Sequence, residues 1–216
     1  MLLEARHDYS RAERVSDAVI HFLGIGAALI AVPILIALAV ILHGDVPAVA
    51  STTLYGLALV TMLVFSALFH LTTRPRLRRI FRSLDHTAIL CLIAATYTPF
   101  VLLSGAEATG LLVALWAAAL TGAALRAFAP DRLKLAAVAL ALAMGWAGLV
   151  GGGALFAVLS TPVIVLITIG GILYTVGVGF CLLERLPFHY TIWHVCVLVA
   201  SAVFYAAVTV QLVQSA

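Results

Sequence analysis

Ser66 and His70 stand four residues apart in an apolar run, a spacing that stacks both side chains on one helix face. Asp85 opens another such run, and His189 and His194 open the last one. Asp17 and His21 repeat the four-residue spacing at the start of the first run. Imidazole nitrogens beside a carboxylate and a hydroxyl suit Zn²⁺ better than Mg²⁺ or Ca²⁺, which prefer oxygen donors. Three histidines (His70, His189 and His194) with an open fourth position would describe a catalytic site rather than a closed structural one. A metal there acidifies a bound water toward a pKa of about 7 and polarises a carbonyl. Asp85 would orient or deprotonate that water, and Ser66 would hydrogen-bond a ligand or a developing oxyanion.

The elements that must position these groups follow from composition. Of 216 residues, 64% are apolar and only 10% are charged, and the mean hydropathy is +1.19. A soluble domain carries roughly 25% charged residues, so the bilayer is the natural solvent for this chain. Seven apolar segments can be drawn, at 17–42, 48–71, 85–103, 109–129, 133–153, 162–183 and 190–212. Each is near the roughly 20 residues that cross a bilayer. Lipid offers backbone groups no partner, so each span must be helical. The predicted fold is an all-α integral membrane protein, a seven-transmembrane helix bundle over 17–216 behind a cytoplasmic N-terminal segment, 1–16. That segment reads equally as an interfacial helix, with Leu2, Leu3 and Val15 touching lipid, or as a solvated tail. Gly145, Gly148, Gly170, Gly171 and Gly177 predict close helix–helix approach.

All twelve basic residues fall on one side of this map. Arg6, Arg11 and Arg14 precede the first span; Arg74, Arg76, Arg78, Arg79 and Arg82 fill the loop between the second and third. Arg126, Arg132 and Lys134 flank the next such loop, and Arg185 marks the last. The alternate loops hold only Asp45 and Glu107 among charged groups. The positive-inside rule then sets the N-terminus in the cytoplasm and the C-terminus outside. This distribution also excludes a nucleic-acid partner, because the charges are short topology signals rather than a continuous basic face. Cys91, Cys181 and Cys196 all lie within apolar runs and give no disulfide framework. With this topology His70, Asp85, His189 and His194 share one depth, near the cytoplasmic end. Ionisable groups inside a membrane are costly and mark a functional site by default.

These residues resemble those of the hemolysin III family, which belongs to the progestin and adipoQ receptor superfamily and is allied to the alkaline ceramidases. The resemblance rests on Ser66-Ala67-Leu68-Phe69-His70, Leu84-Asp85-His86, Ile192-Trp193-His194-Val195, and the segment from Asp17 through His21 to Gly24. It implies seven helices, a cytoplasmic N-terminus and a zinc site on the cytoplasmic side. One departure stands out. The family opens its last helix with His-x-x-x-His, whose first histidine would fall at Tyr190; here the histidine sits at His189. Residues four apart on a helix differ by about 40° and five apart by about 140°. His189 therefore faces an ion shared with His194 only by folding back from the turn after Pro187. Otherwise Tyr190, a water or another residue completes the sphere. The histidine that many relatives carry later in this helix is also replaced, near Phe204.

Two function classes remain open on these grounds. The first is a zinc-dependent hydrolase of the inner (plasma) membrane, cleaving the amide or ester of a lipid or other acylated small molecule. The second is a non-enzymatic, receptor-like or membrane-homeostasis protein whose zinc only clamps helices. Cytolytic activity follows the family name but has no physical feature behind it in the sequence.

Overall fold

The structure is a computed structural model, and it describes residues 9–128 and 134–216. Leu2, Leu3, Arg6, Ala129, Arg132 and Leu133 of the reading above lie outside those residues. Among the described residues eight helices follow one another: α1 (Arg11–Leu42), α2 (Val46–Leu71), α3 (Pro75–Leu103), α4 (Thr109–Phe128), α5 (Lys134–Gly151), the single turn α6 (Gly153–Phe156), α7 (Thr161–Leu182) and α8 (His189–Gln214). No strand occurs among the described residues. Six helices (α1, α2, α3, α4, α7 and α8) are long and apolar enough to cross a membrane. The fifth expected span corresponds to α5, whose apolar stretch, Leu135–Gly151, is shorter. Spread over α5 and α6, that segment is broken at Gly152.

Several helices begin earlier than their apolar runs. α1 starts at Arg11, where the Ser10 hydroxyl accepts a hydrogen bond from the Glu13 amide and the Glu13 carboxylate accepts one from the Ser10 amide, a complete capping box. α3 starts at Pro75, a residue whose fixed φ and missing amide proton suit a first turn. Arg76, Arg78, Arg79 and Arg82 are therefore helical rather than part of a loop. An apolar window detects the lipid-bound part of a helix and is blind to polar turns that continue it into water.

The bundle is apolar outside and carries its polar groups within. Ile41, Val46 and Val150 are 77%, 79% and 94% exposed, whereas Asp17, His21, Ser66, Asp85 and His194 are buried. Along α1 the buried positions are Glu13, Asp17, His21, Gly24, Ala28, Val32, Leu35 and Ala39. Their three-and-four spacing is one stripe of a helix, so the same face that packs the core delivers Asp17 and His21 inward. α1 packs on α2 and α8, α2 on α3, and α8 on α7 and α3. First and last helices thus meet, which brings four helices around one end of the bundle.

Glycines permit several of these approaches. A Cβ at Gly170 would lie 2.6 Å from the Phe204 ring, and one at Gly177 would lie 2.8 Å from Cys196. Gly148 and Gly171 are similarly close to Phe156 and Trp146, but Gly145 faces open space, contrary to the expectation for it. The tightest contact with a neighbouring helix is at Gly56, where a Cβ would stand 2.4 Å from Val32 Cγ1. Gly56→Ala is expected to destabilise the purified protein by about 1–3 kcal/mol through overpacking. Gly145→Ala should leave thermal unfolding unchanged or slightly raised. Equal melting temperatures for both variants would contradict this account of the α1–α2 contact.

Candidate metal centre

Asp17 is the hub of the buried polar cluster. Its Oδ1 lies 2.5 Å from His194 Nδ1 on α8, and its Oδ2 lies 3.4 Å from His70 Nδ1 on α2. The same Oδ2 is 3.8 Å from His21 Nδ1, one turn further along α1. The three imidazoles form a compact triangle. Ring centroids are 4.4 Å apart for His21 and His194, 4.5 Å for His70 and His194, and 5.5 Å for His21 and His70. Donor atoms of Asp17, His21 and His194 all lie within 4.8 Å of one another, and this buried group could hold a metal ion.

Hydrogen bonds fix the rings. His21 Nδ1 donates to the Asp17 carbonyl at 2.8 Å. A carbonyl only accepts, so Nδ1 carries the proton and the neutral ring presents its Nε2 lone pair. That lone pair faces the Ser66 hydroxyl at 3.2 Å. Ser66 is also hydrogen-bonded to the Asp85 carboxyl. Asp85 is buried on α3, with His86 Nδ1 3.9 Å from its Oδ2. A cavity of about 20 Å³ adjoins these groups, edged by His21, Ser66 and His194 and walled by Met62, Leu63 and Val197. That is room for about one water.

Ser66, His70, Asp85 and His194 lie together, and His189 is placed differently. It is the first residue of α8, fully buried, with Nε2 3.2 Å from the Tyr9 hydroxyl. Its ring packs on Tyr190 at 4.1 Å between centroids, and Tyr190 in turn meets His70 edge-on at 5.0 Å. The turn before it contains Phe188 at φ 59°, a left-handed conformation costing a non-glycine residue about 1 kcal/mol or more. Glu13 holds that turn in place: its Oε1 accepts from the Phe188 amide at 2.9 Å and its Oε2 from the Ser10 amide at 2.7 Å. Ser16 and Thr191 hydroxyls add a second link between the two helices at 2.9 Å. The start of α1 is therefore clamped to the start of α8, which sets Asp17 against His194.

Asp17 and His21 carried a sequence signal, their four-residue spacing, but nothing in the sequence placed α1 between α2 and α8. Phe204, further along α8, packs on Gly170 and Tyr174.

Fold and site together describe a multi-pass helical membrane protein with buried histidines and carboxylates gathered at one end. Residues 10–205 match the family model described as "Haemolysin-III related". The chain is 38% identical over 200 residues to "Hemolysin-3" of Bacillus cereus, covering 91% of this chain and 90% of that protein. It is 35% identical over 200 residues to "Hemolysin-3 homolog" of Bacillus subtilis (strain 168), covering 91% and 92% respectively. The chain belongs to the haemolysin-III-related family.

Proposed function

We propose that this protein is a zinc-dependent hydrolase that cleaves the acyl amide or ester bond of a lipid from within the bilayer. The observation that carries this reading is the meeting of His70 and His194 at one carboxylate, Asp17, beside Ser66 and Asp85. His70, His194 and Asp17 would hold the ion. Two donors on one tetrahedral zinc stand about 3.3 Å apart, given metal–ligand bonds near 2 Å. The distances from Asp17 to His194 and His70, 2.5 and 3.4 Å, bracket that spacing. Asp17 takes the third place, for which the sequence offered His189, because the His189 ring is committed to Tyr9. Bound zinc supplies an acidified water and polarises the acyl carbonyl. Asp85, tied to Ser66, would orient the attacking water, and the apolar outer faces of α1, α2 and α8 would admit the acyl chain from lipid. In this reading seven helices cross a bacterial inner membrane, and the arginine-rich end with the metal centre faces the cytoplasm.

A structural ion is the second reading. Asp17, His21, His70 and His194 offer four donors, enough to close a tetrahedral sphere and leave no place for water. Cytolysis rests on the relatives' names alone. The experiment is elemental analysis of detergent-purified protein, followed by fatty-acid release from ceramides and acylated lipids. The expected outcome is one zinc per chain and a release that chelator or His70→Ala abolishes. Stoichiometric zinc with no turnover on any acylated lipid, and a melting temperature that falls on chelation, would favour the structural ion. Release indifferent to both treatments would overturn the metal mechanism.

A further inference from the structure

We infer that Arg78, with Arg74 and Arg82 on the same helix face, forms a subsite for the phosphate of a lipid headgroup, so that the substrate is an acylated phospholipid of net negative charge. The inference rests on the hydrolase reading for turnover, while the headgroup subsite stands on the arginines alone.

Five arginines lie between Arg74 and Arg82, and no acidic residue occurs from Thr72 to Leu84. Orientation across a membrane needs such charges only on one side. It does not dictate which helix face they take. Arg74, Arg78 and Arg82 follow one another at intervals of four, and Asp85 comes three later. One stripe of α3 therefore runs from three guanidiniums down to the buried carboxyl. Arg76 and Arg79 stand off that stripe, and Leu77 and Ile80 are exposed beside them, as suits a turn lying among lipid rather than in water.

The stripe faces α2. The guanidinium carbon of Arg78 is 5.5 Å from the centroid of the Phe69 ring, within cation–π range. That ring meets His70 edge-on at 4.7 Å. A single aromatic ring thus separates an exposed guanidinium from the buried cluster. Contact with the ring steadies the Arg78 side chain, and the planar fork of donors matches the oxygens of a phosphate.

Depth agrees with a headgroup. From Asp85 to Leu103 α3 rises about 27 Å, close to the roughly 30 Å hydrocarbon core. Arg82 stands about 4 Å and Arg78 about 10 Å beyond Asp85 along the axis, and the headgroup layer is roughly 5–7 Å thick on each side. Contact with Phe69, in the apolar run of α2, draws the Arg78 charge back toward that layer. In a phospholipid the acyl ester carbonyls lie just below the phosphate. A phosphate held at Arg78 and Arg82 therefore directs an ester carbonyl toward Ser66 and Asp85. A ceramide offers these arginines no anion.

The test is lipid retention by the detergent-purified full-length chain in native mass spectrometry, which needs no turnover. Phosphatidic acid and phosphatidylglycerol should be retained in preference to diacylglycerol and ceramide, which lack a phosphate. Arg78→Gln should weaken that retention by about tenfold or more, the loss expected for hydrogen bonds to a charged group, and Arg78→Lys by less. Arg79→Gln removes the same charge from the same helix, off the stripe, and should weaken retention by about twofold or less. Excess glycerol 1-phosphate should not displace the lipid, whose chains also hold it. Equal losses in Arg78→Gln and Arg79→Gln, equal retention of lipids with and without phosphate, or ready displacement by glycerol 1-phosphate would each overturn the lipid-phosphate subsite. In the fatty-acid assay Arg78→Gln should raise KM for phosphatidic acid, with kcat little changed. Phosphatidic acid held through Arg78 but never hydrolysed spares the subsite and overturns the hydrolase reading. Zinc-dependent hydrolysis of ceramide in preference to phosphatidic acid, at one rate in wild type and Arg78→Gln, does the reverse.

Discussion

On the zinc reading, Asp17→Asn is expected to abolish zinc binding. Asparagine keeps the shape of aspartate but removes the negative charge that three imidazoles surround. A carboxylate is an anionic donor to zinc, and a carboxamide is a poor one. The amide NH₂ would also face His194 Nδ1, at a distance now held by a hydrogen bond of 2.5 Å. Loss of partners that merely orient ligands costs about 10–100-fold in metal affinity, and loss of a ligand should exceed that range. Competition with a chromophoric chelator, alongside elemental analysis, reads the change. Undiminished affinity in a folded Asp17→Asn protein would remove Asp17 from the sphere.

The second large effect is the reverse. Tyr190→His in the Asp17→Asn background should restore stoichiometric zinc. Position 190 lies four residues before His194 and so shares its face, and its ring already meets His70 at 5.0 Å between centroids. A histidine there recreates the His-x-x-x-His spacing that the family resemblance implies. The chain would thus exchange a carboxylate from its first helix for an imidazole from its last. His189→Ala should leave zinc content unchanged, since the His189 ring is bonded to Tyr9. Zinc lost from His189→Ala while Tyr190→His fails to rescue Asp17→Asn would return the third place to His189.

How much of this was legible in the sequence differs from residue to residue. Ser66 and His70 could be read as partners because both lie on one helix and helical periodicity is local. The spacing of Asp17 and His21 was equally plain, yet it said nothing of which helices they would face. The 140° separation between His189 and His194 was also local knowledge, and the structure agrees with it: one ring turns toward Tyr9 and the other toward Asp17. Helix starts were missed where polar turns extend past lipid, as at Arg11–Ser16 and Pro75–Leu84, because hydropathy reports solvent and not backbone conformation. Gly145 was misjudged for a related reason. A glycine's type gives it the capacity for close approach, but whether a neighbour comes near depends on how helices dock.

By itself the sequence determined the solvent of this protein, its helical class and the approximate positions of its spans, because lipid leaves the backbone no other way to satisfy its polar groups. It also determined that Ser66 with His70, and Asp17 with His21, share helix faces. Only the tertiary structure decided that α1 lies between α2 and α8, so that Asp17 receives His70 and His194 and His21 receives Ser66. Those meetings join residues up to 177 positions apart. They depend on which apolar faces pack together, such as Gly56 against Val32, and on the Glu13 clamp at Phe188. Neither follows from any local pattern along the chain.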